Sequence, residues 1–308
     1  MKHTLRQLEV FVAIARLENV SRAAEDLSLS QSAASTALAE LERQFDCKLF
    51  DRMGKVLKLN ELGRSLLPMA AAVLDRAAEI ESILQGKSAF GLLKVGATLT
   101  IGNYLATLLI GSFMKQHQAC QVQLHVQNTN AIMQQVAMYD LDLGLIEGNC
   151  HHPDLQVEPW IEDELTVFCS PQHPLAKQGS ASLETILQES WVLREHGSGT
   201  RETFDHALRH HHSRLQVRMV LEHTEAIKRA VESGIGLGCI SRLALKDDIT
   251  RGNLVALATP ELDLKRQFMF VWHKKKYQTA AVREFLNHCR LLTRDVRRSD
   301  EINIPYLP

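Results

Sequence analysis

The chain has 308 residues, 45% hydrophobic and 23% charged, enough for two or three domains with real cores. Its 35 Lys and Arg against 36 Asp and Glu leave a formal charge of −1, which excludes bulk charge as a route to nucleic acid or an acidic membrane. No signal peptide or apolar run of transmembrane length is read, so a cytoplasmic location with no membrane partner is expected. The six cysteines lack C-x-x-C spacing, as reduced, buried thiols would.

Leu5, Leu8, Phe11, Val12 and Ala15 recur at three- and four-residue steps and predict a first amphipathic helix. Ser21 is the expected N-cap of a second, short helix through Ala23, Ala24 and Leu27. Ser28 and Leu29 form the turn, Ser30 caps a third helix, and Leu29 with Ala34 fits a hydrophobic staple. On that third helix Ala34, Ala37, Leu38, Leu41 and Phe45 fall on one side, Ser32, Ser35, Thr36, Ala39 and Arg43 on the other, with Gln31 at the edge. A core helix would not collect Gln31, Ser32, Ser35 and Thr36 in its first turns. A helix seated in the DNA major groove needs such short hydrogen-bonding side chains there.

The segment CKLFDRMGKVLKLN then predicts a β-hairpin wing turning at Met53-Gly54, with Lys55 and Lys58 facing a phosphate backbone. Residues 1–60 are thus expected to form a winged helix-turn-helix. Residues 1–64 hold ten Lys and Arg against nine Asp and Glu, so placed cations must do the binding: Arg22, Arg43, Arg52, Lys55 and Lys58.

Two stretches, LRQLEVFVAIARLENVSRAAEDLSLSQSAAS and LFDRMGKVLKLNELG, resemble the DNA-binding domain of LysR-type transcriptional regulators. The family often has Pro where Ser32 stands and Arg where Thr36 stands. Thr36 cannot make the bidentate guanine contact of an Arg, so a different base preference is implied. The resemblance runs the full length. It implies an α/β chain overall, in which a two-lobed, periplasmic-binding-protein-like effector domain follows a linker helix. It also implies a regulator that binds promoter DNA as a homodimer or homotetramer and is not an enzyme.

From Glu61 to Gln85 a helix of roughly 37 Å is predicted. Leu62, Leu66, Met69, Val73, Ala77, Ile80 and Leu84 give it a seam for a partner helix, and Pro68 should kink it. This linker, residues 61–88, ends at Gly86, Lys87 and Ser88. Beyond it LLKVGAT, QVQLHV, LDLGLIEG, LTVFCS, SWVLRE, VRMVLE, GLGCIS and QFMFVWH read as strands alternating with helices, an α/β texture. Trp160–Val167 and Leu264–Val271 read as crossings between lobes. The effector domain is therefore taken as 89–308, with lobe I at 89–161 and 268–295 and lobe II at 162–267.

Three strand ends should line the cleft. The first carries Thr98 and Thr100, the second Asn128 and Thr129. In the third, WVLREHGSGTRE, Arg194 ends a strand and Gly197, Ser198, Gly199, Thr200 and Arg201 open a helix. Converging N–H groups, hydroxyls and a fixed cation describe a pocket for a small anion, while a plain strand-to-helix turn would look similar. Glu225, at the next strand end, either touches the ligand or caps a helix. The third segment resembles that of family members responding to anionic metabolites, including regulators of sulfur assimilation and carbon fixation. A sulfite- or sulfate-like anion or a carboxylate is the implied effector.

Other motifs carry less. Gly197-Ser198-Gly199 lacks the first glycine and the base of a nucleophile elbow, and Gly234 to Gly238 lacks the last glycine of a dinucleotide fingerprint. His206, His210, His211, His212 and the Cys150-His151-His152 cluster lack the spaced ligands a zinc site needs, so no metal and no cofactor is expected. A solute-binding protein would need an export signal, and an enzyme a nucleophile, base and oxyanion donors in one constellation.

Overall fold

The structure, a computed structural model, describes residues 3–53, 56–84, 90–148 and 150–302. Lys55, Gly54 and the expected boundary at Gly86, Lys87 and Ser88 lie outside the described residues.

Helix α1 (Leu5–Leu17) opens on a capping box: Thr4 accepts from the Gln7 amide while Gln7 reaches back to the Thr4 amide. Helix α2 (Val20–Asp26) is capped by Asn19, whose Oδ1 accepts from the Arg22 amide at 3.1 Å, and not by Ser21. Asn19 has the extended backbone a cap needs, with φ −149° and ψ 122°, whereas Ser21 already lies inside the helix. Helix α3 (Gln31–Gln44) is capped by Ser30 as expected. Phe11, Ile14, Ala23 and Ala34 are wholly buried at the junction of the three helices, where small residues let the axes cross closely. Phe45 departs from its expected place on that face: the helix ends at Gln44, so its ring leaves the helical period and stands 52% exposed. Glu42 takes a buried position instead, its carboxylate accepting from the Leu49 amide and Lys48 Nζ.

Strands β1 (Phe50–Met53) and β2 (Val56–Leu59) pair antiparallel as the wing. Helix α4 (Glu61–Leu84) runs unbroken through Pro68, which is buried. Leu67, Ala70 and Ala71 turn inward, while Leu62, Met69, Val73, Ile80 and Leu84 stay exposed.

The second half begins with β3 (Leu92–Thr98), α5 (Leu99–Ile101), a π-helical turn (Gly102–Ala106) and α6 (Thr107–Gln116). Then come β4 (Gln121–Gln127), α7 (Thr129–Ala137), β5 (Leu143–Glu147) and the long β6 (Leu155–Cys169). The chain continues through α8 (Leu183–Leu187), β7 (Ser190–Arg194), α9 (Gly199–Ala207), β8 (Gln216–Leu221) and α10 (Thr224–Glu232). It closes with β9 (Leu237–Ser241), α11 (Arg242–Thr250), β10 (Val255–Leu257), β11 (Lys265–His273) and α12 (Ala280–Thr293).

The strand order is β4-β3-β5-β11-β6-β9-β7-β8, with β10 beside β6. β3 pairs parallel with β4 and β5 in lobe I, and β7 parallel with β8 and β9 in lobe II. β6 and β11 lie antiparallel to each other and join the two halves: β11 pairs with β5, and β6 with β9. Each half buries its own core, around Phe113, Phe270 and Phe285 in one and Trp191, Phe204 and Leu237 in the other. Two cores on shared strands make a hinged pair of lobes, and both sets of parallel strands end at the cleft between them.

Candidate DNA-reading face and effector cleft

Gln31, Ser32, Ser35 and Thr36 are exposed on the first turns of α3, opposite buried Ala34 and Leu38. Ser35 and Arg52 line one depression between α3 and the wing. Arg22, Arg43, Arg52 and Lys58 are exposed and have no acidic partner among the described residues. Arg6, Arg16 and Lys48 are different: Glu9 pairs with the first, Asp26 and Asp140 with the second, Glu42 with the third. The near-neutral domain therefore sorts its charge. Its unpaired cations lie on α2, α3 and the wing, with Arg52 beside Ser35, an arrangement suited to phosphates flanking a groove.

In the cleft the two lobes touch directly. The Gly199 amide donates to Thr129 Oγ1 at 3.0 Å, the Asn130 amide to the Gly197 carbonyl at 3.2 Å, and Asn128 Nδ2 to Glu195 at 3.3 Å. A Cβ on Gly199 would lie 2.2 Å from the Glu147 carbonyl oxygen, so only glycine lets the lobes approach this closely. Gly197, at φ 90°, needs glycine for its backbone as well.

At the centre is a charged cluster that sequence reasoning missed. Glu147 ends β5, Arg266 begins β11 and Asp163 lies in β6; their side chains are 2%, 2% and 0% exposed. Arg266 donates through Nη1 to Glu147 at 2.7 Å and Thr200 Oγ1 at 2.9 Å, and through Nε to Asp163 at 2.6 Å. Glu147 also accepts from the Thr100 amide at 2.9 Å and Thr200 Oγ1 at 3.0 Å. Burial alone would raise the Glu147 carboxyl. The guanidinium of Arg266, with Arg194 and the Thr200 bond, outweighs it and holds the group down at about 2. Two buried donors lack an acceptor among the described residues: Arg266 Nη2 in this cluster, and Thr98 Oγ1 at the end of β3, two residues before Thr100.

The remaining expected site residues divide. Thr98 and Ser198 are N-cap residues, 2% and 3% exposed, and neither bonds its own helix, unlike Ser30 and Asn128, which do. Their hydroxyls face no competing cap role. Arg194 is locked bidentate on Glu195 at 2.8 and 3.0 Å. Arg201 is turned away, bonded to Asp205 and to the Arg194 carbonyl, so the fixed cation of the cleft is Arg266. Glu225 is 61% exposed and bonds Lys228 at 2.7 Å and the Tyr104 hydroxyl across the cleft. Burial, then Glu225, pushes the Tyr104 phenol up to about 12, so it stays a donor near neutral pH. The one local hint along the chain was Glu147, a carboxylate closing the all-buried strand LGLIE; Arg266, between Lys265 and Gln267 in β11, carried none.

No group of three or more His, Cys, Asp or Glu able to hold a metal occurs among the described residues, and none of their helices is long and apolar enough to cross a membrane.

A winged helix-turn-helix joined by a long helix to a two-lobed cleft domain defines a ligand-responsive DNA-binding regulator. Residues 5–64 match the bacterial regulatory helix-turn-helix protein, lysR family, and residues 86–293 the LysR substrate binding domain; the chain belongs to the LysR family of transcriptional regulators. It is 41% identical over 289 residues to the uncharacterized HTH-type transcriptional regulator YeiE of Escherichia coli (strain K12), spanning 94% of this chain and 98% of that protein. Among solved structures, a full-length OxyR variant from Pseudomonas aeruginosa superposes with a TM-score of 0.69 at 22% identity, covering 94% of this chain and 96% of that one. The CcmR regulatory domain of Synechocystis PCC6803, solved in complex with 2-PG, does so with a TM-score of 0.63 at 26% identity, covering 67% of this chain and 99% of that one.

Proposed function

We propose that this regulator takes a small anion, sulfite- or sulfate-like or a carboxylate, between its lobes and thereby alters promoter binding in the cytoplasm. The observation that carries the reading is the pair of buried donors without acceptors among the described residues, Arg266 Nη2 beside Glu147 and Thr98 Oγ1 at the strand end before Thr100. A buried donor left unpaired costs about 1–3 kcal/mol, more for a charged group, and a ligand oxygen would relieve it. Ser198 Oγ, free of any cap bond on the facing lobe, supplies a third donor. Thr100 and Thr200 act at one remove, by holding Glu147. In the related CcmR domain a ligand, 2-PG, is bound, which supports a ligand role for this fold.

The promoter-binding unit of this proposal is a homodimer, or a homotetramer built from two of them. Exposed Leu62, Met69 and Val73 of α4 border an apolar groove of roughly 510 Å³ floored by Leu8, Leu41 and Leu49, a surface suited to a second copy. On DNA, Arg22, Arg52, Lys55 and Lys58 take phosphates while Gln31, Ser32, Ser35 and Thr36 meet base edges.

The test is calorimetry of the full chain with sulfite, sulfate, phosphate and small carboxylates, against Thr98→Val. Loss of one bond to a charged acceptor should weaken the binding anion about tenfold. Unchanged affinity in the variant would move the ligand out of this cluster.

A further inference from the structure

The cleft carries a second interlobe device at its rim, separate from the donor cluster. Tyr104 belongs to lobe I, in the π-helical turn that follows Thr98 and Thr100. Such turns are rare and concentrate at functional positions, because the extra residue redirects side chains. Here the redirected ring leaves its own lobe and packs against the lobe II cluster of Phe168, Val192 and Ile227. Its hydroxyl donates to Glu225, and Lys228 Nζ stands 5.5 Å from the ring centroid.

The lobe II side of this contact is prebuilt. Lys228 is 7% exposed and fixed by Asp248 at 2.8 Å, by the Ala244 carbonyl at 3.3 Å and by Glu225 at 2.7 Å. Glu225 itself is well exposed, so water can replace the phenol when the lobes part. On lobe II, Lys228 is held in place while Glu225 beside it is open to solvent, which is what a reversible closure needs.

We propose that Tyr104 is the latch of the effector cleft: its phenol on Glu225 holds the lobes closed and sets how long a bound effector stays. The closure half stands on the contacts above. The residence half rests on the anion reading of the same cleft.

Hydrogen exchange on the free full-length protein tests closure. The Gly199 and Asn130 amides donate across the cleft and report opening; Val192 and Leu145, buried within single lobes, report the fold. Tyr104→Phe keeps the ring and removes the donor, and Glu225→Gln weakens the acceptor. Each should speed exchange at Gly199 and Asn130 about tenfold, the effect of losing one hydrogen bond to a charged group, with Val192 and Leu145 unchanged. Unchanged exchange at the cleft amides would overturn the latch. Equal acceleration at all four would overturn it too, by showing Tyr104 to be an ordinary packing residue. Stopped-flow release of sulfite should then be about tenfold faster from Tyr104→Phe. If the wild-type chain binds no sulfite, sulfate, phosphate or carboxylate, the anion reading fails while the exchange result still decides the latch.

Discussion

Arg266 shows how one side chain can organise a whole domain. It reaches Glu147 from lobe I, Asp163 on β6 and Thr200 from lobe II, all in a buried cluster. Removing it leaves two carboxylates buried without a cation, so Arg266→Met should lower unfolding stability by about 3–5 kcal/mol in urea titrations. The acid limb follows from Glu147. Its folded value, about 2, lies below its ordinary 4.5, so its stabilisation is full above the ordinary value and is lost as pH falls toward 2. Glu147→Gln should flatten that limb between pH 4.5 and 2, and an unchanged acid profile would show the carboxylate contributes nothing there. Gly199→Ala should open the cleft and speed exchange at Asn130, although alanine normally favours a helix, because the added carbon would meet the Glu147 carbonyl. Apart from Thr200 and the lone carboxylate of LGLIE, this cluster was not legible along the chain. Its members are 119 and 103 residues apart, and no local period links them. The pattern of hydroxyls at strand ends before helices was visible in the sequence and is where Thr98, Thr100, Thr129, Ser198 and Thr200 stand, but helix caps share that pattern, so it marks positions and not a ligand. Arg201 was misplaced for the opposite reason: adjacency to GSGT suggested a cation for the cleft, but one helical turn on lies Asp205, which holds it.

At the scale of elements, hydrophobic period sufficed wherever an element was long. α1, α3, α4 and the strands β3 to β5, β7 to β9 and β11 lie where their patterns put them. β10, only three residues, offered no pattern, and the start of β6 before Trp160 was missed because Gln156, Glu158 and Pro159 interrupt its apolar run. Pro68 does not break α4, since a buried face against α1 outweighs one lost hydrogen bond. The exposed apolar face of α4 gives a direct expectation. Met69→Glu should convert the assembly to monomers in sedimentation, and an unaltered mass would place the interface elsewhere. On the DNA side, Arg52→Ala should reduce the slope of binding against salt by about one while leaving sequence preference intact.

The whole molecule couples these parts through contacts that cross its domains. Arg16 of α1 bridges to Asp140 at 2.9 Å, and Tyr139 packs against the helix-turn-helix core. Lys276, just past β11, lies 2.7 Å from Asp142 and 3.9 Å from Asp75 of α4. β11 thus runs from Arg266 in the cleft to the junction of linker and lobe I. On the proposed reading, a ligand that binds one lobe arrangement better than another shifts the populations, with β11 as the route outward. Arg16→Ala should therefore leave anion affinity unchanged and reduce the effect of ligand on DNA affinity.

Fluorescence anisotropy of the full chain measures directly whether the exposed edge of α3 lies against base pairs. At physiological ionic strength, with sulfite, sulfate and small carboxylates supplied in turn, the protein should prefer its own upstream region over random duplex by about a thousandfold or more. Ser35→Ala and Gln31→Ala should erode that preference without altering thermal stability. Equal affinity of the wild-type chain for both duplexes would show that this edge of α3 does not read sequence.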